Sequence, residues 1–253
     1  MQITARDERI FEWLRVVKLA DTEAVRWVLA ALDGRDEPVS TRRAQQWIAR
    51  AVEAELVEKA RPVFRDGTVI WLSRLLSNRA APNLYRATTR HEVAVSSISS
   101  RFLAAGYSWR RDRQPATKQE HAADGVAERA ASVELVEVEL TAKTLHRYRG
   151  IFTDHTRRLT EGVERVVYIG TAGAMRAVDR EANKWVHPSL RDRIVTLEAL
   201  DERGHIVAPL DALWPGDAPP APAPAPAPAP AEPAPELEAA PAAPELPMWG
   251  GRD

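Results

Sequence analysis

Glu137 and Glu139 lie two residues apart in Val133-Glu-Leu-Val-Glu-Val-Glu-Leu140, a run whose valine and leucine content reads as a strand. Successive side chains on a strand alternate faces, so these two carboxylates project to the same side. Two negative charges on one face of an apolar strand cost stability unless something compensates them. Asp124 stands upstream in His121-Ala-Ala-Asp-Gly125, and Lys143 follows four positions after Glu139. A divalent cation is the natural compensator, and phosphoryl-transfer chemistry uses that arrangement. Carboxylates hold the ion against the phosphate and its attacking water, while a lysine polarises the water and stabilises developing charge. The expected site is therefore Asp124, Glu137 and Glu139 around Mg2+ or Mn2+, with Lys143 assisting. The same acids also read as exposed residues of an edge strand with Asp124-Gly125 as a turn, and that alternative stays open.

The elements that would position this cluster follow from pattern. Thr88–Ala104 reads as a helix, Tyr107–Arg110 as a strand, and Gly125–Ala127 with Val133–Leu140 as a strand pair. Thr144–Leu159 reads as a helix, Val163–Ile169 as a strand and Ala172–Trp185 as a helix, with edge strands expected at Arg193–Glu198 and His205–Pro209. This order places the acids on central strands of a compact α/β core. Gly170-Thr-Ala-Gly173 lacks the lysine and full glycine pattern of a P-loop, and reads as a tight strand-to-helix turn. The six histidines are scattered, without the i, i+4 pairing of a helical zinc site.

The first 75 residues have a different layout. Ile10, Trp13, Leu14 and Val17 repeat at helical spacing, as do Val25, Val28, Leu29 and Leu32 after Asp21-Thr22, with Gly34 as a stop. Ala44, Trp47, Ile48 and Ala51 give a third stripe, opened by Ser40 or Thr41. Leu56–Phe64 and Thr68–Ser73 flank Arg65-Asp66-Gly67, a hairpin signal. Three helices and a hairpin make a winged helix. In its third helix Arg42, Gln45, Gln46 and Ala49 share a face away from the tryptophan stripe. Arg and Gln suit paired hydrogen bonds with guanine and adenine edges in the major groove. Arg43 and Arg50, with Arg61 and Arg65 in the wing, suit phosphate contacts. The expected partner is double-stranded DNA; a face used for protein contacts, or one with no partner, is the alternative. Trp13, Trp27, Trp47 and Trp71 read as core anchors.

Composition bounds the rest. The 253 residues are 45% hydrophobic and include no cysteine, which excludes disulfides, thiolate zinc sites and cysteine nucleophiles and fits a reducing cytoplasm. No run is long enough to span a bilayer, and the first residues lack a signal-peptide core. The net charge of −1 is uneven: 217–253 is acidic, while Arg86–Lys118 holds seven basic residues against Glu92 and Asp112. Of the 19 prolines, 12 fall in 217–253, alternating with alanine, a composition that favours an extended solvated segment and cannot build a core. That tail reads as a disordered spacer; its terminal Leu246-Pro-Met-Trp-Gly-Gly251 reads as an untethered end, with a short docking peptide for a protein partner as the alternative.

The order of Asp124, Glu137-Val-Glu139 and Lys143 resembles the PD-(D/E)xK nuclease signature in an ExE form, departing from it at Ala123 and in the displaced lysine. From about Arg9 to Trp185 the chain also resembles the replication-relaxation family of actinobacterial plasmids and other mobile elements. The winged helix, His91, Trp109-Arg-Arg-Asp-Arg113, His121-x-x-Asp124-Gly125, and Val136-Glu-Val-Glu-Leu-Thr-Ala-Lys143 leading to Arg147-Tyr148 carry that resemblance. It implies a role in replication or transfer of mobile DNA, with Asp124, Glu137, Glu139 and Lys143 as site residues and His91 and Tyr148 in support. The fold expected is α+β: a winged helix over 1–77, a PD-(D/E)xK-like core over 84–213 and the tail. Function divides between a metal-dependent nuclease-like protein and a non-catalytic regulator or replication accessory factor.

Overall fold

Thr4 starts the first helix, α1 (Ala5–Val17), with a capping box in which Asp7 accepts from both the backbone and hydroxyl of Thr4. The computed structural model describes residues 2–63, 66–117 and 120–214, so Arg65 and the 217–253 tail lie outside the described residues. Asp21 caps α2 (Thr22–Leu32) through Ala24 N–H, and Ser40 caps α3 (Thr41–Glu53) through Arg43 N–H. The apolar stripes expected from spacing are the buried ones: Ile10, Trp13, Leu14 and Val17 on α1, Val25, Val28 and Leu29 on α2, and Ala44, Trp47, Ile48 and Ala51 on α3. Trp47 Nε1 donates to Asp7 Oδ1 at 2.8 Å, which ties α3 to the start of α1.

The expected hairpin is β2 (Val57–Ala60) against β3 (Val69–Leu72), antiparallel with Val57 opposite Leu72. Its strands are shorter than the sequence pattern implied. A two-residue strand, β1 (Ala20–Asp21), pairs with β3 on its other side, giving the order β1-β3-β2. A single helical turn, α4 (Arg74–Ser77), then leads into α5 (Ala87–Ala104).

A second sheet carries the acids. Its strands are β4 (Ser108–Arg110), β5 (Gly125–Arg129), β6 (Ser132–Glu139), β7 (Arg165–Gly170) and β8 (Ile194–Glu198), in that spatial order. The β4-β5-β6 part is antiparallel, whereas β6-β7-β8 is parallel, joined by α6 (Leu145–Thr160) and α7 (Ala172–Trp185). Parallel neighbours require such crossovers. The 205–209 segment adds no strand: it makes one bridge, Leu200 with Ile206, because Gly204 at φ +80° turns the chain back on itself.

The two faces of β6 enter different apolar clusters. Val136, Val138 and Leu140 join Ile98 and Phe102 of α5, and that cluster continues without a break into Leu29 and Trp47 of the first helices. Leu135 joins Tyr148 and Phe152 of α6 with Val178 of α7. Glu137 and Glu139 share the Leu135 face and are therefore covered by α6. Among the described residues no helix is long and apolar enough to cross a membrane.

Candidate metal centre

The β5–β6 ladder ends where Gly125 faces Val136, so the next backbone group of β6 needs another partner. Asp124 supplies it: Val138 N–H donates to Asp124 Oδ2 at 2.8 Å. His91 of α5 sits 3.1 Å from the same oxygen and 2.9 Å from the Val138 carbonyl. Burial opposes protonation of His91, but Asp124 outweighs it and raises the imidazole's pKa. Asp124 is thereby fastened to the strand rather than projecting free.

Glu137 is 2% exposed and faces two imidazoles. His121, in the segment entering β5, places Nε2 2.8 Å from Glu137 Oε1; His155, on α6, places Nε2 3.1 Å from it. Burial alone would raise the Glu137 pKa, yet the two imidazoles hold it far below the ordinary carboxylate range. His121 moves the opposite way: desolvation lowers its pKa, and Glu137 more than restores it, for a net rise. Behind His155, the Tyr168 hydroxyl of β7 lies 3.0 Å from Nδ1. Burial and the nearby Glu137 charge push the Tyr168 pKa well above its usual value.

Glu139 is matched by Lys143 in a close ion pair. Desolvation lowers the Lys143 pKa despite the charges of Glu137 and Asp124. The backbone N–H of Lys143 donates to the Tyr148 hydroxyl at 3.1 Å, so Tyr148 shapes the turn out of β6. At that turn Gly170 approaches so closely that a Cβ on it would lie 2.1 Å from the Glu139 carbonyl oxygen.

His121, Glu137 and His155 offer ligand atoms that all lie within 4.8 Å of one another, and this group could hold a metal ion. It is the only such group of three among the described residues. No match to the chain was found among family models, curated proteins or solved structures. Of the four site residues expected from sequence, only Glu137 enters the group; Asp124 pairs with His91 and Glu139 with Lys143. His121 and His155 are not signalled by the sequence because helical i, i+4 spacing is the wrong template for a group assembled from a loop, a strand and a crossover helix.

The loop carrying His121 is held from below. Asp112 accepts from Ala123 N–H at 2.8 Å and from Arg158 Nη2 of α6 at 2.8 Å. Burial works against the Asp112 carboxylate, but Arg158 and the backbone donors lower its pKa overall. One acid thus anchors both the His121–Asp124 segment and the helix that bears His155.

On α3, Arg42, Gln45, Gln46, Ala49 and Arg50 are exposed, with Glu53 at the far end of the same face. Arg43 is turned aside into an ion pair with Asp33 at 2.8 Å. Arg61 is exposed just beyond β2. A separate cleft of about 600 Å³ between α1 and α5 is lined by Arg15, Lys18, Arg79, Arg86 and Arg111, with Glu92 as its one acid.

Proposed function

We propose that the protein binds duplex DNA through a winged helix and that its second sheet is a PD-(D/E)xK-like core acting on mobile DNA. The exposed Arg42-Gln45-Gln46-Arg50 face of α3 carries this reading. The helix stands third in an α1-β1-α2-α3-β2-β3 order, and its outer face offers guanidinium and amide groups with no acid until Glu53. Those groups match the donor and acceptor pattern of purine edges in the major groove. The basic cleft beside α5 supports it further, since clustered arginines suit backbone phosphates. The setting in replication or transfer rests on the resemblance carried by the residues from His91 to Tyr148.

A binding assay on randomised duplexes tests this. Arg42→Ala is expected to relax preference at one base position, at a cost of about 1–3 kcal/mol there, whereas Arg86→Ala weakens all sequences alike. Equal affinity of the wild type for every duplex would count against base readout.

The pairing of Asp124 with His91 and of Glu139 with Lys143 favours a second reading, in which the core is a non-catalytic regulator or accessory platform. Supercoiled plasmid with Mg2+ or Mn2+ separates the two. Nicking that disappears in Asp124→Ala supports cleavage, and no nicking by the wild type selects the platform.

A further inference from the structure

We propose that His121, Glu137 and His155 bind a first-row transition-metal ion of the zinc or cobalt class in preference to Mg2+, with Tyr168 as the positioning residue for His155. This develops the metal-binding part of the proposed function and holds whether or not the chain cuts DNA.

The spacing suits such an ion. Around tetrahedral zinc, bonds near 2.0–2.1 Å put neighbouring ligand atoms about 3.3 Å apart. The two nitrogen-to-Oε1 separations, 2.8 and 3.1 Å, need to open by only a few tenths of an ångström.

A second, independent observation points to a ligand. His155 is wholly buried, and its Nε2 makes no hydrogen bond although Glu137 Oε1 lies 3.1 Å away. Buried polar nitrogens almost always find partners. If Tyr168 accepts a hydrogen from Nδ1, the tautomer is fixed and Nε2 keeps its lone pair, 3.1 Å from Glu137 Oε1. A cation bound there satisfies both that lone pair and the carboxylate.

Donor chemistry selects the metal. Two imidazoles with one carboxylate suit zinc and its neighbours, whereas Mg2+ takes oxygen ligands and retains water. Three protein ligands also leave a fourth place for water or an incoming group, as in catalytic rather than structural zinc sites. His121 is the ligand whose side chain keeps solvent contact, at 20% exposed.

The test uses the full chain, stripped with a chelator and desalted. It is then equilibrated separately with Zn2+, Co2+, Mn2+ and Mg2+, and bound metal is counted by mass spectrometry. The expected result is one equivalent of zinc or cobalt per chain, tetrahedral cobalt absorption bands, and no displacement by Mg2+ at equal concentration. His121→Ala, which alters a partly exposed side chain, should lose stoichiometric zinc. Tyr168→Phe should weaken zinc by roughly 10- to 100-fold, as outer-shell substitutions do. Circular dichroism of both variants, compared with the wild type, checks that any loss of zinc is not a loss of fold. Zinc retention equal in wild type and His121→Ala, octahedral cobalt bands, or displacement by Mg2+ would each overturn the proposal. DNA affinity of the wild-type chain, measured on the same samples, separates the two readings: a wild type that takes up no zinc yet binds DNA sinks only the metal site, and one that takes up zinc without binding DNA sinks only the DNA reading.

Discussion

Two glycines show how tightly single atoms constrain the candidate centre. A Cβ on Gly125 would lie 2.0 Å from the Trp109 ring, and one on Gly170 would lie 2.1 Å from the Glu139 carbonyl. The first neighbour is a large ring, the second a backbone oxygen, and neither can yield cheaply. The Asp-Gly pair at 124–125 is therefore not a turn. Asp124 bonds the end of β6, and Gly125 opens β5 beneath an indole. Gly170→Ala is expected to force β6 and β7 apart and to cost about 1–3 kcal/mol, the usual range for overpacking. Gly150→Ala, on an exposed turn of α6 with nothing within 4 Å, is expected to stabilise by about 0.4–1 kcal/mol. Urea midpoints of the two variants, measured side by side, check both signs; equal midpoints would mean that the crowding at Gly170 relaxes without cost.

At the scale of elements, the Asp112–Arg158 pair joins the β4–β5 loop to α6. Because Asp112 titrates below an ordinary carboxylate when folded, its contribution is present above about pH 4, the unfolded value, and is lost as pH falls through the folded one. Asp112→Asn should therefore cost about 3 kcal/mol near neutrality, leaving Arg158 buried without its charge partner. The gap from wild type should stay constant from neutrality down to about pH 4 and narrow only below it, which denaturation curves between about pH 7 and pH 2 would reveal. A gap independent of pH would mean that the carboxylate's charge contributes nothing. Most helices were legible in the sequence because their apolar stripes are long: the expected spans for α5, α6 and α7 agree with those found to within one residue at each end, although of these only α7 carries a side-chain cap. β1 was not, since two residues carry no periodicity. Glu137 was legible as a site residue from strand alternation alone. His121 and His155, 16 and 18 residues away on either side, meet it only through a hairpin and a crossover, and local spacing encodes neither.

Across the whole molecule, the residues expected to form separate folded parts share one interior. Helix α5 packs along α2, and its Ile98 and Phe102 belong to the same apolar cluster as Leu29 and Trp47. Polar contacts cross the same seam: Trp13 Nε1 donates to Ser99 Oγ at 3.0 Å in a buried setting, and the Arg101 guanidinium lies 3.9 Å over the Trp27 ring. A core shared in this way makes the unfolding of either part expose apolar surface on the other, so the two should melt together. Ser99→Ala removes the partner of a buried indole N–H and should cost about 1–3 kcal/mol. Although Ser99 lies on α5, the loss should lower the midpoint of the first three helices as well. Tryptophan fluorescence and far-ultraviolet circular dichroism should therefore report one coincident transition in both proteins, shifted together in the variant. Two resolved transitions, with only one displaced by Ser99→Ala, would show that the exposed face of α3 and the His121–Glu137–His155 group belong to independently stable units despite their common core.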